Sequence, residues 1–167
     1  NNVLTEFLRT GVYNRNRPFY TTISPSMDIL VSSNVERLLY HLTKGDNQRV
    51  SAWMQQLAAQ GMYQVDTDVV AKLKELFWAG DCGEEDTRKT IREMYDVEHY
   101  LCDPHTAVAV HVYKKYVKET GDSSTPVLVV STASPYKFAG SVLSALTGNE
   151  AEGDSFQQMD MLSSLTG

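Results

Sequence analysis

The sequence predicts a helix-dominated α/β fold with few strands, and three observations lead to it. Across residues 34–97, apolar side chains recur at helical spacing between well-marked start and stop residues. The run Val127-Leu128-Val129-Val130 is apolar at every position, as in a strand covered on both faces of a parallel sheet. It ends in the hydroxyls of Ser131 and Thr132 and passes into Ser134-Pro135, an N-cap followed by a first helical residue. No second run of that kind occurs in the 167 residues. A lone parallel strand cannot satisfy its own backbone groups. Residues 1–167 are therefore expected to be a single segment of a larger protein that holds the neighbouring strands.

The helices follow in order. Residues 1–11 read as a helix closed by Gly11. Ser33 and Glu36 have the spacing of a capping box, ahead of Val35, Leu38, Leu39 and Leu42 on one face. Asp46 caps a helix carrying Val50, Trp53, Met54 and Leu57, and Gly61 stops it. A third helix starts near Asp66 and carries Val69, Val70, Leu73, Leu76 and Phe77. A fourth opens on Glu84, Glu85 and Asp86, charges that suit the helix dipole, and carries Ile91, Met94 and Tyr95. Residues 34–97 are expected to pack as a helical cluster. Asp103 and Pro104 begin a fifth helix through Val117, although the alternation of Val108, Val110 and Val112 also fits a strand. Beyond the apolar strand, Phe138, Val142, Ala145 and Leu146 mark a helix, and Phe156, Met159 and Leu162 mark the last one.

Composition narrows the function. A hydrophobic fraction of 42% can furnish a core. The net charge of −6 runs against the clustered positive surface that nucleic acid requires. No apolar run reaches the length of a membrane helix, and no signal peptide is expected. A cytoplasmic protein with neither nucleic-acid nor membrane partner is expected. Cys82 and Cys102 lack metal-ligand spacing and read as reduced thiols, and His41, His99 and His111 stand alone, so no metal is expected. Lys72, Lys74, Arg88, Lys89 and Arg92 read as solvated helix faces, and the Met and aromatic positions of residues 34–97 as core.

Chemistry is expected at the segments that frame the helical block. Asn1-Asn2 opens the first helix, the stretch Thr21 to Asn34 is rich in hydroxyls, and Asp103-Pro104-His105-Thr106-Ala107 places a base and a hydroxyl at a helix start. Capping alone accounts for Ser33, Asp103 and Ser134. Taken with Ser131 and Thr132, the three segments fit a site for an anionic small molecule, because helix N-termini offer free N–H groups to anions.

These same residues carry a likeness. Asn2-Val3-Leu4-Thr5-Glu6-Phe7 with Gly11, Thr22-Ile23-Ser24-Pro25-Ser26-Met27-Asp28-Ile29, Ser32-Ser33-Asn34-Val35-Glu36-Arg37, Asp103-Pro104-His105-Thr106-Ala107-Val108 and Ser131-Thr132-Ala133-Ser134-Pro135-Tyr136-Lys137-Phe138 occur in this order. Together they resemble the C-terminal half of the threonine synthases. That family uses pyridoxal phosphate to convert O-phosphohomoserine and water to threonine and phosphate. The resemblance implies a fold of the tryptophan synthase β type. It also implies that a strand-end hydroxyl, Thr132 or else Ser131, faces the pyridine nitrogen of the cofactor. His105 and Thr106 are then expected on the substrate side, and Asn2, Ser24, Ser26 and Lys137 are candidates for the substrate phosphate.

The chain also departs from the family. The family's cofactor-bearing lysine motif and its Gly- and Asn-rich phosphate loop are not found in these residues. No catalytic residue is therefore assigned, and the segment alone is expected to be inactive. Its expected partners are the substrate and the remainder of the same polypeptide, with self-association of the isolated segment. The alternative reading is a stand-alone helical interaction module with a decayed pyridoxal-phosphate site.

Overall fold

Two helices that each stop on a left-handed glycine generate the one sheet of this protein. The structure, a computed structural model, describes all 167 residues. Helix α1 (Val3–Thr10) ends at Gly11, φ 77°, and the chain turns into strand β1 (Val12–Asn14). After helix α2 (Ser33–Leu42), helix α3 (Asn47–Gln60) ends in the same way at Gly61, φ 74°, and leads into β2 (Met62–Gln64). The strands pair antiparallel with Tyr13 opposite Tyr63. Each glycine carbonyl accepts a hydrogen bond from the other arm, Gly11 O from Val65 N and Gly61 O from Arg15 N, both at 2.9 Å.

The sheet presents an aromatic face to the helices. Tyr13 and Tyr63 stack at 5.3 Å, Phe7 meets both edge-on, and Trp53 stacks on Tyr63 at 6.5 Å. Leu39, Val69 and Leu73 complete a buried core with helix α4 (Thr67–Leu76). Residues 1–21 and 28–80 make up this compact unit. Its sheet is absent from the sequence expectations because three-residue strands carry too short a pattern. Their one visible sign is the repeated Gly-x-Tyr after a helix, at Gly11-Val12-Tyr13 and Gly61-Met62-Tyr63.

The second unit comprises residues 22–27 and 81–167. It holds helices α5 (Glu84–Glu98), α6 (Pro104–Thr120), α7 (Ala139–Thr147) and α8 (Ser155–Thr166). Ile91, Ala107, Val142, Leu143 and Leu162 form its core together with Cys102. Residues 34–97 are distributed over both units, α2 to α4 in the first and α5 in the second. No helix is long and apolar enough to cross a membrane.

Several local expectations are corrected. The run Val127–Val130 forms no strand, and Leu128 is 87% exposed. Its parallel partners do not exist in this chain, whose one sheet is β1 with β2. The Ser33–Glu36 capping box is not made. Ser32 occupies the N-cap of α2, its side chain makes no cap bond, and its backbone N–H donates instead to the Tyr13 hydroxyl at 2.8 Å. Phe77 lies beyond the end of α4 and is exposed along with Leu76. Phe156 is exposed while Leu162 is buried, since six residues make about one and two-thirds turns and leave the two on different faces. The true capping box of the chain is Asp154 with Gln157, at the start of α8. Residues 104–120 are helical throughout, which removes the strand reading of Val108 to Val112.

Two measurements check this packing. Gly11 and Gly45 both have positive φ, so an alanine at either costs about 1 kcal/mol in backbone strain. At Gly11 the added methyl would also be driven into the Val70 side chain, whereas at Gly45 it meets only the outer end of the Tyr40 side chain, the hydroxyl at 3.3 Å. Gly11→Ala should therefore destabilise the first unit by about 2–4 kcal/mol in urea titration, clearly more than Gly45→Ala. The second measurement concerns the Cys102 thiol. Burial, and then the neighbouring Asp103 charge, push it from the usual 9.0 up to about 11. A thiol whose pKa is raised by folding stabilises the fold fully below the unfolded value and ceases to do so above the folded one. The stability of the second unit should fall as pH rises from about 9 to about 11, and Cys102→Ala should flatten that slope.

Candidate ligand site at the start of helix α6

Helix α6 begins with a carboxylate that has no contact with solvent. Asp103 is its N-cap, with Pro104 in the first helical position where no N–H is needed. A buried carboxylate requires donors, and Asp103 takes them from its own sequence neighbours. Its Oδ1 accepts from the backbone N of His105 and from the His105 ring Nδ1, both at 2.9 Å. Its Oδ2 accepts from the Thr106 hydroxyl. The Thr106 and Ser131 hydroxyls pair at 3.1 Å, which ties the end of the apolar run to the helix start.

The second segment is the short 3₁₀ turn Pro25–Met27. The backbone N–H of Ser26 donates to Nε2 of His105 at 3.2 Å. Ser24 is buried beneath the turn. Its hydroxyl pairs with that of Thr22 at 3.2 Å, and its carbonyl accepts from Met27 N at 2.9 Å. The Glu84 carboxylate, at the start of α5, accepts from Ile23 N at 2.8 Å. The third segment is the 3₁₀ turn Pro135–Phe138, capped by Ser134 as the sequence predicts. It sets the Phe138 ring 4.8 Å from the imidazole of His105, and Lys137 Nζ lies over the Phe138 ring.

His105, Thr106, Ser26, Ser24, Ser131 and Lys137 thus belong to one neighbourhood. His105 and Thr106 are buried, whereas Ser26, Ser131, Thr132 and Lys137 are exposed. Asn2 belongs to the first unit, where its side-chain oxygen accepts from Arg17 at 3.1 Å. Sequence reasoning treated Asp103 only as a cap and Phe138 only as core. Its sign of the network is the carboxylate placed two and three residues ahead of His105 and Thr106, a spacing that at a helix start turns both side chains back onto it. Such a collection of neutral hydroxyls around a buried imidazole can donate hydrogen bonds to an anion or to a heterocyclic nitrogen. It offers no cluster that could hold a metal ion.

The family model described as threonine synthase, C-terminal, matches residues 106–165. The chain is 37% identical to the threonine synthase of Saccharomyces cerevisiae over 161 residues, covering 89% of this chain and 31% of that protein. It is 39% identical to threonine synthase-like 1 of Macaca fascicularis over 165 residues, 98% of this chain and 22% of that protein. The crystal structure of threonine synthase from yeast superposes with a TM-score of 0.82 at 34% identity, covering 98% of this chain and 35% of the other. A pyridoxal-phosphate-bound threonine synthase from Brucella melitensis superposes at 0.79 with 32% identity, over 95% of this chain and 33% of that one. The chain therefore spans about a third or less of the length of the relatives it matches. Along nearly its whole length, in sequence and in fold, this chain resembles the threonine synthases, and the C-terminal domain of that family matches over residues 106–165.

Proposed function

We propose that the chain is the C-terminal part of a pyridoxal-phosphate enzyme that converts O-phospho-L-homoserine and water to L-threonine and phosphate. The observation that carries this reading is the likeness to solved threonine synthases over nearly the whole chain, one of them bound to the cofactor. The bound cofactor supplies the electron sink for carbanion chemistry on the amino-acid substrate.

The residues of this chain supply orientation and hydrogen bonds. The Thr132 hydroxyl is exposed and engages no group of the chain, so it is available to donate to the pyridine nitrogen. A neutral hydroxyl donates there without holding the nitrogen protonated, as a carboxylate would. Ser131 is the alternative donor, but its hydroxyl already pairs with Thr106. His105 and Thr106 line the substrate side. Ser26 and Lys137, both exposed, meet the substrate phosphate, while Ser24, buried and already paired, shapes the turn beneath. Asn2 is assigned to the same phosphate on family likeness alone. The lysine that carries the cofactor lies outside this chain in this reading, and the exposed run Val127–Val130 mediates self-association of the isolated segment.

A second reading draws on the 39% identity to threonine synthase-like 1. The parent would then be a threonine synthase-like protein, and threonine formation by the full-length polypeptide separates the two.

The 167-residue chain by itself should release no phosphate from O-phosphohomoserine above a heat-killed control, because covalent catalysis needs the absent lysine. Release above that control would refute the segment reading. In the full-length polypeptide, Thr132→Val keeps the side-chain shape and removes the donor. Cofactor affinity should weaken by the cost of an unpaired buried nitrogen, about 1–3 kcal/mol. The melting temperature of the apo form should barely move, since Ser134 and not Thr132 caps the following turn. Unchanged cofactor dissociation would sink the assignment.

A further inference from the structure

The Asp103 carboxylate does more than cap α6. An ionised carboxylate only accepts, so His105 Nδ1, 2.9 Å from Oδ1, must carry a proton. On the other side of the ring, Nε2 lies 3.2 Å from the backbone N of Ser26, a group that only donates. Nε2 must therefore be bare. Two contacts of opposite character leave one arrangement, a neutral imidazole with its proton on Nδ1. The other tautomer, or a doubly protonated ring, would set two N–H groups against each other at Ser26.

The surroundings hold the ring in that state. Asp103 and His105 are 0% and 5% exposed, so water does not take over either contact. Phe138 packs against the imidazole. Ser26, by contrast, is exposed, and only its backbone is committed to the ring. Resting on the reading of this site as a threonine synthase substrate pocket, we propose that Asp103 is a positioning residue. It fixes the tautomer of His105, and through the bare Nε2 it holds the Pro25–Met27 turn so that the Ser26 hydroxyl faces the phosphate of the substrate.

Long-range nitrogen–proton NMR correlation on the 167-residue chain reads the tautomer directly. His105 should show a pyrrole-type Nδ1 and a pyridine-type Nε2, and the Ser26 amide should exchange about tenfold more slowly than an unbonded one. Asp103→Ser retains an N-capping hydroxyl but does not reach the ring. In that variant His105 should move toward the Nε2–H form and the Ser26 amide should lose its protection. Asp103→Asn keeps an oxygen at the ring and should restore both signals.

In the full-length polypeptide, Asp103→Ser should raise KM for the phosphorylated substrate more than it lowers kcat, with Asp103→Asn close to the parent. An Nε2–H tautomer in the unsubstituted chain overturns the proposal whether or not the variants fold. Unchanged tautomer and exchange in Asp103→Ser overturn it too, and an unchanged KM refutes the presentation of Ser26. The NMR readouts need neither cofactor nor substrate. Failure of the threonine synthase reading shows separately, as no threonine formed by the unsubstituted polypeptide.

Discussion

A carboxylate sealed from solvent must be given hydrogen bonds, and in this protein that requirement organises the site. Asp103 has no exposure, and the donors that reach it come from His105 and Thr106. Removing it would leave buried polar groups without partners, a larger loss than any single contact suggests. Each satisfied donor then acts outward. The imidazole holds the turn that carries Ser26, and the Thr106 hydroxyl holds Ser131. Segments some 25 to 80 residues apart in sequence meet because of one buried charge.

The first unit depends on a different constraint. Gly11 and Gly61 take a left-handed conformation that ends a helix and redirects the chain within one residue. Because both do so, two short strands meet and stack Tyr13 on Tyr63. The Tyr13 hydroxyl then accepts from Ser32 and donates to Leu30, fixing the approach to α2. Burial raises the pKa of both phenols, so they stay neutral well past physiological pH and the stack carries no charge. A small sheet of this kind would be marginal alone; packed against α1, α3 and α4 it is the centre of a core.

Much of the helical content was legible in the sequence, for local reasons. Asp46, Asp103 and Ser134 each accept a backbone N–H at the start of the element they were expected to begin, and Gly61 closes α3. Caps work over two or three residues, so the sequence alone determines them. Likeness to the threonine synthases was likewise readable, because the motifs that carry it are contiguous stretches of residues.

What the sequence could not decide is whatever needs a partner from elsewhere in the fold. The apolar run Val127–Val130 has strand character, yet strand formation requires a neighbour, and no other part of the chain provides one. Ser33 and Glu36 have capping-box spacing, but a tertiary bond from Ser32 to Tyr13 sets that helix entry instead. At the site, sequence placed His105, Thr106, Ser26 and Ser131 on separate segments and read Asp103 as a cap. Only the tertiary structure joined them. The physical reason is that a cap is satisfied locally, whereas a buried carboxylate, a ring with two nitrogens and a strand edge must each find their partners across the fold.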